Sequence, residues 1–238
     1  MSDLVAEQIV ESACVEKSDV ILEIGTGTGA LTEKIASRAK RVITYEEDHH
    51  LFDIARDRMS TSDNVVLVNQ DAFSRRQPVP RFDVCITSLP YSRSLDFIEW
   101  LAIRSGTFRC TVAVLQLEFA RKLQSQPCNS LYRAVSVIAQ ISFVMKEILL
   151  VDRINFDPPP RVESVVMKFE TNAQFNQPFL NRTRIQEVKR LFSFRGRLLR
   201  NAIEDFEEKI DLPRLAFSSN RIEQIEPGQF ALLLEKIC

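Results

Sequence analysis

The stretch Val20-Ile21-Leu22-Glu23-Ile24-Gly25-Thr26-Gly27-Thr28-Gly29-Ala30 decides the fold. An apolar, β-branched run stops at glycine and gives way at once to an amphipathic segment, the pattern of strand, tight turn and helix. Glycine lets the backbone take φ > 0 and lets a ligand approach with no Cβ in the way. The amides that open the next helix carry the positive end of its dipole. Such a turn seats the ribose or phosphate end of a nucleotide-like cofactor. It does not say which one, because Gly25-x-Gly27-x-x-Ala30 also fits the dinucleotide pattern G-x-G-x-x-G/A.

Working outward, the chain alternates strand and helix. Val5, Ile9 and Val10 fall at helical spacing ahead of the first strand, and Leu31 and Ile35 mark the inner face of the helix after the turn. Residues 41–45 form a second strand that ends in Glu46-Glu47-Asp48, and the next helix turns Leu51, Ile54 and Ala55 inward. Residues 65–68, 82–87 and 111–115 read as three more strands, and the helix before the last of them buries Leu95, Ile98 and Leu101. This alternation predicts a parallel, doubly wound α/β sheet with helices on both faces. Two further β-branched runs, 141–151 and 162–169, are joined through Pro158-Pro159-Pro160, which cannot lie inside a sheet. Past Thr171 the spacing turns helical, with Leu199, Ala202, Ile203, Phe206, Phe230, Leu233, Leu234 and Ile237 as its inner positions. The boundary falls near 172–180, giving domains of 1–175 and 176–238, the second all-helical.

Composition narrows the chemistry. The 238 residues are 45% hydrophobic, enough for a substantial core, and hold no run long enough for a membrane span. Five cysteines, an odd number with no C-x-x-C pair, suit reduced thiols in a cytoplasmic protein. Two adjacent histidines, His49 and His50, leave almost nothing for a zinc site or a histidine triad, so no metal is expected. The formal net charge is −1, yet Arg182, Arg184, Lys189, Arg190, Arg195, Arg197 and Arg200 are offset only by Glu187 between residues 181 and 200. That is a local basic surface of the kind that meets nucleic acid.

Ligands of an open parallel sheet sit at the carboxyl ends of its strands. Glu46 ends the second strand, where a carboxylate accepts from two ribose hydroxyls; NAD and S-adenosylmethionine satisfy it equally. Asp71, beside small Ala72, ends the third and is placed to accept from an adenine amino group, or else to make a local Asx-turn. The fourth ends in Ser88-Leu89-Pro90-Tyr91, which resembles the [DNS]-P/L-P-[YF] loop of amino-methylating, S-adenosylmethionine-dependent methyltransferases. Adenine N6 is a poor nucleophile because its lone pair is conjugated with the ring. A polar side chain and a main-chain carbonyl that accept its two N–H bonds draw it toward pyramidal geometry and aim the lone pair at a sulfonium methyl. Tyr91 supplies a stacking face.

Taken together, these motifs resemble the KsgA-type small-subunit rRNA adenine dimethyltransferases over nearly the whole chain. The matching stretches are 22–32, 46–48, 69–73, 88–91, 116–120, 132–140, 156–164 and 194–201, and the loop Phe156-Asp157-Pro158-Pro159-Pro160-Arg161-Val162-Glu163-Ser164 is the most diagnostic. The resemblance implies a Rossmann-like class I methyltransferase sheet followed by a small helical domain. It implies dimethylation of N6 on two adjacent adenosines in a 3′-terminal hairpin of small-subunit rRNA, with an immature ribosomal small subunit as partner and the protein a monomer. It places Glu23, Gly25, Gly27, Gly29, Glu46, Asp71, Ala72 and Ser88 against S-adenosyl-L-methionine. Ser88, Leu89, Pro90, Tyr91 and Phe156 fall on the target-base pocket, with Phe156 the second aromatic wall for a flipped base. Arg195, Arg197 and Arg200 would grip rRNA phosphates.

The chain departs from the family pattern in three ways. It begins after the family's Q-[NH]-F-L opening segment, its pI of about 6.2 is lower than usual, and it carries Ser88 where the family has Asn. Two other readings therefore stay open: an RNA-binding assembly factor without turnover, and a resistance-type methyltransferase of large-subunit rRNA. A NAD oxidoreductase is disfavoured, since neither a catalytic histidine nor Tyr-x-x-x-Lys is present.

Overall fold

A computed structural model describes residues 1–74, 79–203 and 216–237. The chain divides into two compact units, of which the first comprises Met1–Phe97, Gly106–Ala120 and Met145–Thr171.

The first unit is built on a sheet. Strands β1 (Val20–Ile24), β2 (Arg41–Tyr45), β3 (Val65–Val68), β4 (Val84–Thr87), β5 (Cys110–Gln116), β6 (Phe143–Val151) and β7 (Ser164–Thr171) form seven strands in the order β3-β2-β1-β4-β5-β7-β6. The first five are mutually parallel, as the alternation predicts. The later pair departs from an all-parallel sheet: β7 lies antiparallel to β5, with Ala113 opposite Met167. The run 141–151 also enters the sheet late, because Ile141 and Ser142 end a helix and the strand starts at Phe143.

Strands β1, β4 and β5 are buried along almost their whole length, which requires cover on both faces. On one face Ile21, Val42, Val84, Val112 and Val166 join helices α1 (Asp3–Ser12) and α2 (Ala30–Ala36) in a continuous core containing Val5, Ile9, Val10, Leu31 and Ile35. The predicted inner positions of α1 and α2 are thus buried. Helices α3 (His49–Arg58) and α4 (Ser94–Ala102) depart from expectation at single positions. Ile54 and Leu95 are exposed, while Ala55, Ile98 and Leu101 are buried. Their apolar stripes are narrower than spacing alone implies.

Order reversal between β1 and β4, with β2 leaving on one side and β4 on the other, makes a topological switch point at the carboxyl edge. The glycine turn leaves β1 there.

The second unit comprises Ile98–Ser105, Arg121–Val144 and Asn172–Cys238, so two earlier segments join the chain that follows Thr171. The partition is therefore discontinuous, where the sequence suggests a single cut between 175 and 176. The unit includes α6 (Ala134–Ser142), α7 (Arg182–Ser193), α8 (Leu199–Ile203) and α9 (Pro227–Ile237); α5 (Leu117–Leu123) runs into it. Its core is aromatic: Tyr132 is fully buried and donates to the Ile225 carbonyl at 2.8 Å, and Phe192 stacks on Phe230 with centroids 5.5 Å apart. Leu199, Ala202, Ile203, Phe230, Leu233 and Leu234 are buried as expected; Phe206 lies outside the described residues. No helix among the described residues is long and apolar enough to cross a membrane.

Candidate functional site

A cavity of about 440 Å³ opens at the carboxyl ends of β1 to β4. That is within the roughly 300–1,000 Å³ typical of small-molecule sites. Gly25, Gly27, Glu46, Asp71, Ala72, Ser88, Leu89, Pro90, Tyr91 and Phe156 line it, drawn from segments more than 130 residues apart in sequence. Ile24, Tyr45, Leu51, Phe73, Val114, Pro158 and Pro160 supply apolar and aromatic wall.

The glycine turn is shaped by close approach. Gly25 has φ of 86° and donates to the Tyr45 carbonyl at 2.8 Å. A Cβ at Gly25 would lie 3.3 Å from the Ser88 carbonyl oxygen, so the turn and the Ser88 loop are nearly in backbone contact. Gly27, with φ of 56°, has open space on its Cβ side. Glu46 is 7% exposed and locked by two amides: Oε2 accepts from Gly27 N at 2.8 Å and Oε1 from Asp48 N at 3.0 Å. Each oxygen retains a lone pair for the cavity, the donor-free geometry that a pair of ribose hydroxyls requires.

Asp71 makes the Asx-turn that its position allows, accepting from Phe73 N at 2.8 Å, and it also lines the cavity. The two readings are therefore compatible. Ala72 is buried beside it. After β4, Ser88 is half-buried and Leu89 buried, and a 3-10 turn over Tyr91–Arg93 starts at Pro90. The Tyr91 hydroxyl hydrogen-bonds the Ser164 hydroxyl, which fastens this loop to the end of the proline-rich motif. Phe156 serves two purposes: it packs against the main core and presents itself to the cavity.

Two predicted contacts lie elsewhere. Glu23 is fully buried beneath the turn, where its Oε2 accepts from Thr32 and Thr44 hydroxyls, each at 2.6 Å, and does not line the cavity. Thr44 continues to Thr26 at 2.5 Å, so Glu23 props the turn from behind. Burial raises its pKa to about 7, against the lowering effect of the two hydroxyls. Gly29, the N-cap of α2, faces Ala55 and Arg58 of α3 and Met59 at that helix's C-terminal end rather than the cavity. The family resemblance implied both contacts; strand alternation sends Glu23 to the face that α2 covers instead.

Sequence reasoning missed Arg93, which lines the cavity and donates from Nη2 to both oxygens of Asp71 at 3.0 Å. A lone arginine in a turn carries no pattern that singles it out. Ser164 was visible only as the end of a motif.

In the second unit, Arg197 and Arg200 are exposed, and Arg195 is half-buried with Nη2 at 3.3 Å from the Asn129 carbonyl. Arg197 stacks over the Phe194 ring at 5.3 Å. Other members of the basic stretch have structural partners: Lys189 pairs with Glu99 at 2.8 Å, and Arg184 donates to the Phe179 carbonyl at 2.7 Å.

The glycine turn, the Ser88–Tyr91 loop and the proline motif thus meet in one cavity, and the match to known proteins follows the same lines. The family model described as ribosomal RNA adenine dimethylase matches residues 1–237. The chain belongs to this family. Rossmann-like, S-adenosyl-L-methionine-dependent methyltransferases make up the family, and the cavity, with the carboxylates of Glu46 and Asp71 in its lining beside the glycine turn, fits that cofactor. Among relatives, a ribosomal RNA small subunit methyltransferase of Arabidopsis thaliana is 36% identical over 170 residues, covering 70% of this chain and 48% of the relative. The chain thus spans about half the length of that protein. Ribosomal RNA small subunit methyltransferase A of Thermotoga neapolitana is 32% identical over 94% of this chain and 85% of its own length. The crystal structure of a dimethyladenosine transferase from Plasmodium falciparum superimposes with a TM-score of 0.81 at 25% identity, covering 97% of this chain and 94% of that one.

Proposed function

We propose that this dimethylase-family protein transfers methyl groups from S-adenosyl-L-methionine to N6 of two adjacent adenosines in a 3′-terminal hairpin of small-subunit rRNA, acting on an immature small subunit. The observation that carries this reading is the convergence of Glu46, Asp71, Ser88, Tyr91 and Phe156 on one cavity.

The cofactor, when bound, supplies an electrophilic methyl on a sulfonium. Everything else falls to the chain. Glu46 accepts the ribose hydroxyls and Asp71 the adenine amino group, while the turn at Gly25 and Gly27 leaves room for the main chain to approach. Tyr91 and Phe156 form aromatic faces for a target adenine removed from its stack. The Ser88 hydroxyl and the main-chain carbonyl ahead of Pro90 accept the two N–H bonds of that adenine and turn its lone pair toward the methyl. The proton is lost after transfer, so no strong base is required beside the nitrogen. Arg195, Arg197 and Arg200 hold phosphates and set register without reading sequence.

One chain contains the whole constellation, which supports action as a monomer. The described cysteines Cys14, Cys85, Cys110 and Cys128 are free thiols, which supports a reducing, cytoplasmic compartment.

The test is methyl transfer. Purified protein with labelled S-adenosylmethionine should label undermethylated small subunits and block primer extension at two neighbouring adenosines. Cofactor binding without any incorporation would favour the assembly-factor reading, and incorporation into large-subunit rRNA the resistance-type one.

A further inference from the structure

Arg93 occupies the turn directly after the Ser88–Tyr91 loop and carries its guanidinium back over the cavity. Its Nη2 lies 3.0 Å from both Oδ1 and Oδ2 of Asp71. Nη1 is 3.5 Å from Glu47 Oε2, Nε is 3.4 Å from Asp96 Oδ2, and the guanidinium carbon sits 4.9 Å from the Phe73 ring centroid. One cation therefore ties the loop after β4 to the loops that end β2 and β3.

The acceptor count at Asp71 is informative. Each carboxylate oxygen offers about two acceptor positions. Oδ1 receives the Phe73 amide at 2.8 Å as well as Arg93, whereas Oδ2 receives Arg93 alone. A single acceptor position remains, on Oδ2. The Asp71 side chain is 39% exposed, and while the Phe73 amide holds Oδ1, Arg93 is what fixes Oδ2 among the described residues.

We propose that Arg93 is a positioning residue for cofactor recognition. It keeps the Asp71 carboxylate in the one orientation whose remaining acceptor position meets the exocyclic amino group of the cofactor's adenine. Arg93 thereby sets the preference for a 6-amino over a 6-oxo purine, because an oxo group would bring its own lone pairs against Oδ2. This rests on the reading of Asp71 as the adenine acceptor.

The experiment measures binding of S-adenosylhomocysteine and S-inosylhomocysteine by calorimetry to wild type, Arg93→Met, Arg93→Lys and Asp71→Ala, with folding checked by circular dichroism. Wild type is expected to prefer the adenine compound by about tenfold or more, the size of a charge-assisted hydrogen bond. Arg93→Met should reduce that ratio to about threefold or less, and Arg93→Lys, which keeps a cation, should restore part of it. A purely structural arginine would weaken both compounds equally and leave the ratio unchanged. Arg93→Met that retains the wild-type ratio, or that binds S-adenosylhomocysteine more tightly, overturns the role of Arg93. Asp71→Ala, which has no side-chain acceptor, overturns the reading of Asp71 itself if it keeps the preference, and leaves the cofactor assignment standing.

Discussion

The Tyr91 hydroxyl is hydrogen-bonded to the Ser164 hydroxyl, which joins the proposed target-base loop to the proline-rich motif 73 residues later in the chain. Ser164 is buried at the start of β7, a strand paired over seven residues with β5, so the ring of Tyr91 is anchored to the sheet rather than to a loop. Tyr91→Phe keeps the ring and removes the tether. Methyl-transfer kcat should fall by about 10- to 100-fold with cofactor affinity unchanged, the cost of a misplaced reacting group. Ser164→Ala should do the same. Tyr91→Ala also loses base stacking, about 1–3 kcal/mol, and should raise the KM for RNA. Single-turnover kinetics on small-subunit RNA, with cofactor affinity measured separately, checks all three.

Gly25 and Gly27 should respond differently to alanine. At Gly25 a Cβ meets the Ser88 carbonyl oxygen at 3.3 Å in a backbone with φ of 86°. Strain of about 1–3 kcal/mol is expected, lowering Tm by roughly 2–12 °C for a chain of this size. Gly27 has φ of 56° and no neighbour within 4 Å of its Cβ. Gly27→Ala should therefore cost less stability, about 1 kcal/mol, and still weaken cofactor binding because the added methyl enters the cavity. Thermal melts beside cofactor titrations separate the two effects.

Period and punctuation made most of this architecture legible. Strands β1 to β5 were readable because each is an apolar β-branched run closed by a polar or glycine stop, and the residues at those stops, Glu46, Asp71 and Ser88, do meet in one cavity. The errors follow from rules that composition does not carry. Glu23 sits two residues before Gly25, yet strand alternation sends it to the covered face, where Thr32 and Thr44 hold it. Ile54 and Leu95 fit a helical stripe but lie on its edge, so neighbouring packing decides their exposure. Arg93 was invisible because its meaning depends on three loops converging, a tertiary fact. The second unit's use of Ile98–Ser105 and Arg121–Val144 was hidden for the same reason.

Ser88 stands where the family carries asparagine, and no side-chain hydrogen bond among the described residues engages its hydroxyl. An unengaged acceptor at the cavity wall is available to substrate. Ser88→Ala should lower kcat by about 10²-fold or more, the loss of one orienting hydrogen bond, with a much smaller change in cofactor affinity. An unchanged rate in Ser88→Ala would show that the hydroxyl has no direct part. Ser88→Asn, with a longer reach and a carbonyl acceptor, is expected to keep activity at or above the wild-type level.

Arg197 and Arg200 are exposed on the basic stretch of the second unit. Replacing either by glutamine should weaken binding of small-subunit RNA similarly for all sequences. Each loss should also reduce the slope of log K against log salt by about 0.7–0.9, one phosphate contact fewer. Filter binding across a salt series is the measurement. An unaltered slope would make that arginine a solvated surface residue.

The last prediction concerns Glu23. Its carboxyl is buried beneath the turn with Oε1 unpartnered, and burial raises its pKa from 4.5 to about 7 in the folded protein. Below about pH 4.5 the group is protonated in both folded and unfolded chains and its desolvation costs nothing extra. As pH rises toward 7 the unfolded chain ionises first, so the unfolded state loses its proton while the folded one keeps it, and stability falls. Above about pH 7 both states are ionised and the loss is complete, at about 3 kcal/mol for a shift of this size. Glu23→Gln cannot ionise and keeps an oxygen for the Thr32 and Thr44 hydroxyls. The difference in unfolding free energy between Glu23→Gln and wild type should therefore move in favour of the variant between pH 4.5 and 8, most steeply below 7. Urea unfolding at matched pH values measures it, and a difference that stays flat with pH would mean that Glu23 is ionised in the folded protein throughout.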